Sequence, residues 1–386
     1  MDRDFHSRRT TRRTFSVLAT FALVAGALMA LAPTADAAVN SCRARDITQD
    51  GRRSSNLQAV IDAASAGDTI AVKYVCVGNF HISKNLTLAG KATPAIPKAV
   101  LSANGAGRVL LISARVTLSN VKITRGQAYS GGGIYNDHGS ITLKKDTVTQ
   151  NSAHGGGGIF NRNGTITLND SVVSRNAASA YPGGIWSTGI LTLNGSSFVR
   201  HNTARFSGGG IYNANGVTTL NDTSSVVHNR AGDEAGGILQ KYGKVILNDS
   251  SSVRRNASSS GGGIFTSSVV KLNGASSVRG NNARSYGGGI YNQGGSLTLN
   301  GSSSVGDNTS RISGGGIFSE GGMVSLNDTA SATGNTADSD NDGSGTGGGL
   351  RLKSKACLVG AVDGGNVNNN LLGNGTEDNI SGVSTC

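Results

Sequence analysis

A column of aromatic residues recurs through the middle of the chain, with one position every 25–27 residues. Each ring directly follows an aliphatic residue, so the ring points outward wherever the aliphatic side chain points into a core. Outward rings stack against sugar rings or bury themselves against another protein. Alternatively, the rings pack on one another or beneath a neighbouring turn and only stabilise the strands. The column consists of Tyr135, Phe160, Trp186, Tyr212, Phe265, Tyr291 and Phe318, with Leu239 taking the same position once.

An acidic segment near the C-terminus resembles the start of a calcium-binding loop. Asp338, Asp340 and Asp342 alternate with other residues and are followed by Gly343. A hard cation such as Ca2+ is bound by several converging oxygen ligands in this kind of spacing. The glutamate that would complete such a loop is absent, because Gly349 stands at its place. A calcium site and a plain acidic turn therefore both remain open, and no other cofactor is indicated.

Basic residues form a partial stripe, which Gln150, Gly280 and Asp307 interrupt. An exported basic surface favours acidic polysaccharides or cell-wall anions as partners. Nucleic acid is not expected, because no nucleic-acid-binding motif accompanies the charge. A merely solvated, solubilising face is the alternative. The stripe contains Arg175, His201, His228 and Arg255, with Arg200, Arg254 and Arg279 one position earlier in their repeats.

Catalytic residues cannot be assigned from the pattern of acids. Five aspartates fall at nearly one repeat position and alternate with glycines, as turn residues do. Asp233-Glu234 is the one acidic pair off this pattern, and it stands alone in the sequence. His138 and His154 have no partners that spacing would identify as a triad. The five turn aspartates are Asp146, Asp170, Asp222, Asp249 and Asp328.

Four further columns indicate that the chain is built from repeats of 25–27 residues, with a last repeat of 33. The first follows a Gly-Gly step and comprises Ile134, Ile159, Ile185, Ile211, Ile238, Ile264, Ile290, Ile317 and Leu350. The second comprises Leu143, Leu168, Leu193, Leu220, Leu247, Leu272, Leu299 and Leu326. The third comprises Val148, Val173, Val199, Val226, Val253, Val278, Val305 and Ala332. The fourth comprises Asn151, Asn176, Asn202, Asn229, Asn256, Asn281, Asn308 and Asn335.

Short alternating runs separated by glycine and asparagine turns predict strands that position these columns. In Ile141-Thr142-Leu143, for example, the two aliphatic side chains share one face. Three short strands and three turns per repeat predict one coil of a parallel β-helix, whose stacked coils bury a continuous core. Asparagine tolerates the left-handed conformation, and these asparagines are expected to bond to the next coil as a ladder.

The overall composition agrees with a narrow repetitive fold and excludes other classes. Charged residues make up 15 % of the chain and aromatic residues 5 %, while 58 of the 386 residues are glycine. The low charge disfavours a disordered chain, and glycine lacks the strict period of collagen. A compact core of large side chains is not expected.

The paired Gly-Gly-x-aliphatic and x-x-Asn motifs resemble the repeats of polymorphic outer-membrane proteins, within the right-handed parallel β-helix (pectin-lyase-like) superfamily. The resemblance covers residues 55 to about 350, although Gly-Gly-Gly-Ile-aromatic-Asn replaces the more typical Gly-Gly-Ala-aliphatic. It implies a right-handed β-helix and raises the prospect of a lyase, glycoside hydrolase or esterase. Members with such repeats usually continue into a C-terminal membrane β-barrel. The 36 residues after Leu350 are too few for one, so we expect a released or contact-held protein without a membrane span.

The ends of the chain carry export and capping signals. Residues 1–37 are predicted to be a signal peptide, with a basic start, an apolar stretch and the small-x-small site Ala35-Asp36-Ala37. Thr11-Arg12-Arg13-Thr14-Phe15 resembles the twin-arginine motif, and an ordinary secretory signal is the alternative. Asn56 is expected to cap a short helix that covers the first open coil.

Four cysteines in an exported protein predict disulfides. Three pairings are possible, and local pairing at each end, Cys42 with Cys76 and Cys357 with Cys386, is favoured because it closes the segments where fraying starts. The domain boundaries are then 38–130 for the N-terminal cap and first irregular coils, 131–350 for the regular repeats and 351–386 for the C-terminal cap.

These observations predict a secreted, single-domain parallel β-helix that acts at the cell surface or in the extracellular matrix. The predicted function is non-enzymatic binding of a glycan or a partner protein along the rod, through the aromatic column. The alternative is an extracellular lyase or glycoside hydrolase acting on acidic polysaccharide, with catalytic acids that resemble turn residues.

Overall fold

Successive coils of the chain stack into a parallel β-solenoid of about 11 turns, with about 26 residues per turn, in the computed structural model. The structure describes residues 41–51, 53–343, 345–360, 367–368, 370–372, 376 and 380–381. The predicted signal peptide, residues 1–37, and Cys386 of the second predicted disulfide lie outside the described residues. The predicted all-β solenoid architecture is confirmed.

Three long sheets run along the solenoid. Sheet 1 has 23 strands among the described residues: Arg43–Asp46, Thr69–Lys73, Phe80–Ile82, Leu86–Gly90, Leu110–Ile112, Arg115–Ser119, Ile134–Asp137, Ser140–Lys144, Ile159–Arg162, Thr165–Asn169, Ile185–Ser187, Ile190–Asn194, Ile211–Asn213, Val217–Leu220, Ile238–Gln240, Lys244–Leu247, Ile264–Thr266, Val269–Leu272, Ile290–Asn292, Leu297–Leu299, Ile317–Leu326, Leu350–Gly360 and Ile380–Ser381. Sheet 2 has 12: Val75–Val77, Ala99–Ser102, Val121–Thr124, Thr147–Thr149, Val172–Ser174, Phe198–Arg200, Ser225–Val227, Ser252–Arg254, Ser277–Arg279, Ser304–Gly306, Ser331–Thr333 and Val367–Asn368. Sheet 3 has 10: Gln127–Ser130, Ser152–Gly155, Ala177–Tyr181, Thr203–Ala204, Arg230–Ala231, Ala257–Ser260, Asn282–Tyr286, Thr309–Ser310, Thr336–Ala337 and Leu371–Leu372.

Most turns contribute four strand segments rather than the three predicted, because sheet 1 receives two segments from each. The break between these two segments is a corner held by an asparagine. Asn136 Nδ2 donates to the Gly139 carbonyl at 2.9 Å, and Asn161 Nδ2 donates to the Gly164 carbonyl at 2.9 Å. The corner interrupts the ladder of backbone hydrogen bonds while both segments stay in the same sheet.

The predicted aliphatic columns form the core inside the coil. Parallel pairing aligns Ile134 with Ile159 and Leu143 with Leu168, one turn apart. Val148 pairs with Val173 in sheet 2 in the same way. These side chains are fully buried, as are their equivalents in the following turns. Stacking of like residues therefore buries a core that one repeat could not bury alone.

The asparagine column forms a buried ladder between sheets 2 and 3. Asn229 Nδ2 donates to Asn256 Oδ1 at 3.0 Å and to the Val199 carbonyl at 2.9 Å. The ladder continues to Asn370, which accepts from Asn335 at 2.9 Å and which lies beyond the predicted column. The predicted ladder is confirmed, although these asparagines are not themselves left-handed. The residue before each takes that conformation, for example His228 with φ 55° and Arg255 with φ 53°.

The N-terminal end is closed by a helix and a disulfide. The helix spans Leu57–Ala63, and the Asn56 side chain accepts a hydrogen bond from the Ala59 N–H, as predicted for its cap. Leu57 and Ile61 are buried in the same cluster as the first coils. The Cys42–Cys76 disulfide is present, as predicted. Strand Arg43–Asp46 pairs antiparallel with Thr69–Lys73 and so covers the first parallel strand.

Candidate functional site

The predicted aromatic column lies in register on the outer side of sheet 1. Parallel pairing aligns Tyr135 with Phe160, and each later member with the next. The rings of Tyr135 and Phe160 stack at 5.0 Å, and those of Phe265 and Tyr291 stack at 4.6 Å. The rings thus form a row along the solenoid that is broken once, at Leu239.

Only part of this row presents a surface. Phe160, Phe265 and Tyr291 are 7–8 % exposed, and Phe318 is 1 % exposed. Tyr135, Trp186 and Tyr212 are half-buried. The covered rings pack on one another, which is the alternative that the sequence left open. Direct contact with a ligand along the outside is therefore available to three of the seven predicted residues.

A second set of rings from sheet 3 covers the column at several points. Tyr286 lies 4.7 Å from Phe318, and Tyr181 lies 6.4 Å from Tyr212, measured between ring centroids. Tyr129 stacks on His154 at 4.9 Å. Tyr129 and Tyr181 are themselves exposed, with 77 % and 43 % of their surface accessible. These side chains form the outer wall of a groove whose floor is the aromatic column.

Two neighbouring cavities lie in this groove. The larger, of about 630 Å³, is lined by Tyr181, Tyr212, Glu234, Gln240 and Lys241, among others. The smaller, of about 210 Å³, is lined by Tyr129, His154, Tyr181, Trp186 and Tyr212, among others. Because Tyr181 and Tyr212 line both, the two cavities are parts of one groove that crosses several coils.

The larger cavity carries the acidic pair that stands alone in the sequence. Asp233 and Glu234 both line it, beside the floor residues Tyr212, Leu239 and Phe265. Burial raises the pKa of Glu234, and the neighbouring Asp233 raises it further, while Lys241 opposes this shift. Burial also raises the pKa of Tyr212, with Glu234 adding to the effect. The cavity thus combines ring faces with a carboxylate pair and an ammonium group.

A further column in the sequence, not among those predicted above, marks the outer wall of the groove. The residue before each glycine-rich turn is usually small, as at Ser207, Ser260 and Ser313. Isolated bridges pair Glu234 with Ser260 and Tyr286 with Ser313, so these residues share one column. Tyr181, Glu234 and Tyr286 are the large residues that break this small-residue column, and Tyr181 and Glu234 line the larger cavity.

Three of the predicted turn aspartates, Asp222, Asp249 and Asp328, have structural roles. Asp222 Oδ2 accepts the Gly195 N–H at 2.7 Å, and Asp249 Oδ2 accepts the Asp222 N–H at 2.9 Å. Asp328 Oδ2 accepts the Gly301 N–H at 2.9 Å. Asp222, Asp249 and Asp328 have positive φ values and join one turn to the next. His138 contacts Asp137 at 2.6 Å, and His154 belongs to the groove wall.

The structure brings the three predicted calcium ligands together. One ligand atom from each of Asp338, Asp340 and Asp342 lies within 4.8 Å of the others. The Asp338 carboxylate accepts the N–H groups of Asp342 and Gly343, both at 3.1 Å. Asp340 Oδ2 is 2.7 Å from Arg311 Nη2. Internal hydrogen bonds and an ion pair therefore account for two of the three carboxylates, and calcium binding stays a prediction.

Comparison of the chain with protein-family models, with curated proteins and with solved structures finds no match in any of the three. Among the residues that the structure describes, no helix is long and apolar enough to cross a membrane.

Proposed function

We propose that the protein binds a neutral glycan in the groove between sheets 1 and 3, as a non-enzymatic component of the cell surface or extracellular matrix. The observation that carries this proposal is the cavity of about 630 Å³ between Tyr181, Tyr212, Glu234 and Lys241. It has the size of a small-ligand site, with a few convergent polar groups on an apolar floor.

The chemistry of the lining favours a sugar. Tyr181 and Tyr212 offer ring faces with hydroxyl groups at their ends, which suits a ligand that is apolar on one side and polar on the other. Asp233 and Glu234 offer hydrogen-bond acceptors for sugar hydroxyl groups. Two carboxylates repel an acidic sugar, so a neutral glycan fits this groove better than a uronate polymer.

Binding can be tested by affinity electrophoresis of the purified protein through gels that contain hydroxyethylcellulose, xylan, galactomannan or dextran. We expect retardation by at least one of them, and at least about tenfold weaker binding for Tyr212→Ala, since aromatic anchors dominate such sites. Phe198→Ala is the matched control, because Phe198 is a half-buried ring on sheet 2, away from the groove. Unretarded migration in every gel, or equal loss in both variants, contradicts the proposal.

Hydrolysis of the bound glycan is a second candidate function. Burial raises the pKa of Glu234, which lines the cavity beside Asp233, and a carboxyl group with a raised pKa can act as a general acid. Size separation of the retained glycan after incubation distinguishes the two functions. Shortened chains that disappear with Glu234→Gln support a hydrolase, and unchanged chains with intact retardation support binding alone.

We also propose export and a place in the right-handed β-helix superfamily. The Cys42–Cys76 disulfide supports an oxidising compartment, where such bonds persist. The solenoid of about 26 residues per turn supports the superfamily, together with the Gly-Gly-x-aliphatic motif. N-terminal sequencing of the protein secreted by its native host tests export, with a start near Ala38 as the expected result.

A further inference from the structure

A dense group of arginine and histidine side chains covers the edge between sheets 2 and 3, away from the groove. We call this group the basic face. It spans four successive coils, and parallel strands in neighbouring coils lie about 4.8 Å apart. All members are exposed except Arg254, which is half-buried. The basic face consists of Arg200, His201, Arg205, His228, Arg230, Arg254, Arg255, Arg279 and Arg284.

Strand pairing sets these cations side by side. Arg254 pairs with Arg279 in sheet 2. In the loop between sheets 2 and 3, the imidazole rings of His201 and His228 stack at 5.0 Å with an angle of 1° between their planes. The same loop of the next coil adds Arg255, whose N–H donates to the Arg279 carbonyl. The charges thus form ladders parallel to the solenoid axis.

Almost none of this charge is neutralised by the protein itself. The structure describes every residue from 198 to 306, and the acids in that range are Asp222, Asp233, Glu234 and Asp249. The first and last of these lie in the turn between sheets 1 and 2, and the middle two line the groove. Arg279, which contacts Asp307 at 2.7 Å, is the one member with an ion pair in the described part of the chain.

The type of cation also points to a ligand. All seven non-histidine members of the basic face are arginine, whereas the exposed cations on the sheet 1 strands of the same coils, Lys244 and Lys271, are lysine. A guanidinium group binds carboxylate, sulfate or phosphate with two parallel hydrogen bonds, while an ammonium group acts as a point charge. Solubility alone does not require this separation of arginine from lysine.

We propose that the basic face binds a linear acidic polysaccharide that carries one anionic group per sugar residue. The ladder repeats about every 4.8 Å, a spacing that suits an extended chain of sugar rings laid along the axis. Single-stranded nucleic acid fits less well, since it requires free ring faces on which bases stack. Here the Arg200 guanidinium lies over one face of Phe198 and the Arg205 guanidinium over one face of Phe206, with Cζ 5.6 and 5.4 Å from the ring centroids.

This inference goes beyond the neutral-glycan proposal and does not depend on it. The two surfaces differ in charge, because the groove holds Asp233, Glu234 and Lys241 while the basic face holds seven arginines and two histidines. Binding at both surfaces would let one molecule connect a neutral glycan to an acidic one.

The test compares two triple variants that remove the same charge from different faces. Arg200→Ser, Arg205→Ser and Arg230→Thr place on the basic face residue types that neighbouring coils already carry there. Lys144→Asn, Lys244→Val and Lys271→Thr do the same on sheet 1. Each triple lowers the net charge by the same amount and leaves the groove intact.

Affinity for polygalacturonate, hyaluronan, chondroitin sulfate, uncharged dextran and a thymidine oligonucleotide is measured at low and at physiological ionic strength. We expect binding to an acidic polysaccharide that weakens with salt, and at least about tenfold loss in the basic-face triple alone. The carboxylated and sulfated chains show which anionic group is preferred. Equal loss in both triples, no binding at physiological salt, or tighter binding of the oligonucleotide overturns the proposal.

Discussion

Asp146 is a buried carboxyl group at a position where the following turns carry serine. Its Oδ1 accepts the Val121 N–H at 2.7 Å, and its Oδ2 accepts the Lys144 N–H at 2.8 Å. Burial nevertheless raises the pKa of Asp146 to about 7, although these two donors and the charge of Lys98 favour the ionised form. Ser171 takes the equivalent place one turn later without a charge.

We predict that Asp146→Ser changes the pH dependence of stability. Well below pH 3.8 the Asp146 carboxyl is protonated in both the folded and the unfolded chain, so it imposes no charge penalty. As the pH rises towards 7, the unfolded chain ionises first, and wild-type stability falls by up to about 4 kcal/mol relative to the variant. Urea unfolding between pH 4 and 8 checks this, and parallel curves for the two proteins would contradict it.

The outer wall of the groove also illustrates what single residues contribute. Tyr181 and Glu234 occupy positions where most turns carry small residues, and together with Asp233 they form the larger cavity. The sequence shows that the acidic pair departs from the repeat pattern, but it does not show which residues surround the pair. Those surroundings include Tyr181 and Tyr212, which lie on preceding turns and meet the pair only through the stacking of turns.

The asparagine ladder is the element that links sheets 2 and 3 in every regular turn. Asn256 accepts from the N–H and the Nδ2 of Asn229, and it donates to the Val226 carbonyl at 2.9 Å. An outer ladder at the turn between sheets 1 and 2 is half-buried and simpler. In it, Asn248 Nδ2 donates to Asn221 at 2.8 Å and Asn248 accepts from Asn273 at 2.9 Å.

We predict that Asn256→Ala lowers the free energy of unfolding by about 3 kcal/mol or more, since it leaves several buried groups without partners. Asn248→Ala is the matched control from the same coil, with an expected loss of about 1 kcal/mol because water reaches its neighbours. Chemical denaturation of both variants checks the difference. Equal losses would contradict the prediction, because they would mean that burial of the ladder adds nothing to the free energy of unfolding.

The repeated elements were predictable from the sequence because identical residues recur in identical places. The columns of Ile134, Leu143, Val148 and Asn151 predicted the coil, its core and its ladder, and the structure confirms their register. The corner at Asn136 was not predicted, since a local bend leaves the period unchanged. The burial of Phe318 was also not predictable, because Tyr286 covers it from another sheet.

The whole solenoid is stabilised by contacts between neighbouring turns, so its open ends are the places where unfolding begins. The Cys42–Cys76 disulfide closes a loop with a sequence separation of 34 residues around the N-terminal helix. Such a cross-link lowers the conformational entropy of the unfolded chain, which stabilises the folded state by about 3–4 kcal/mol in the chain-entropy model. Its effect should stay local, because each turn contacts only its neighbours.

We predict that Cys42→Ser with Cys76→Ser speeds amide hydrogen exchange in the first coils, up to about Gly90. Exchange in the groove coils, from Tyr181 to Gln293, should stay unchanged. Exchange measured by mass spectrometry on peptides from both regions checks this. Faster exchange throughout the chain would mean that the solenoid unfolds as a single cooperative unit.

Charge is distributed over the molecule in a way that separates its two candidate binding surfaces. The groove between sheets 1 and 3 holds the acidic pair and the exposed rings, whereas the edge between sheets 2 and 3 holds a ladder of arginines. The chain contains one tryptophan, Trp186, and it lies in the groove. Its fluorescence therefore reports on groove occupancy and not on the basic face.

The measurement that tests the central claim most directly is a titration of Trp186 fluorescence with the neutral glycans. We predict a saturable change with a neutral glycan, no change with polygalacturonate, and loss of the response in Tyr212→Ala. A flat signal with every neutral glycan, while the fold remains intact by circular dichroism, would contradict glycan binding in the groove.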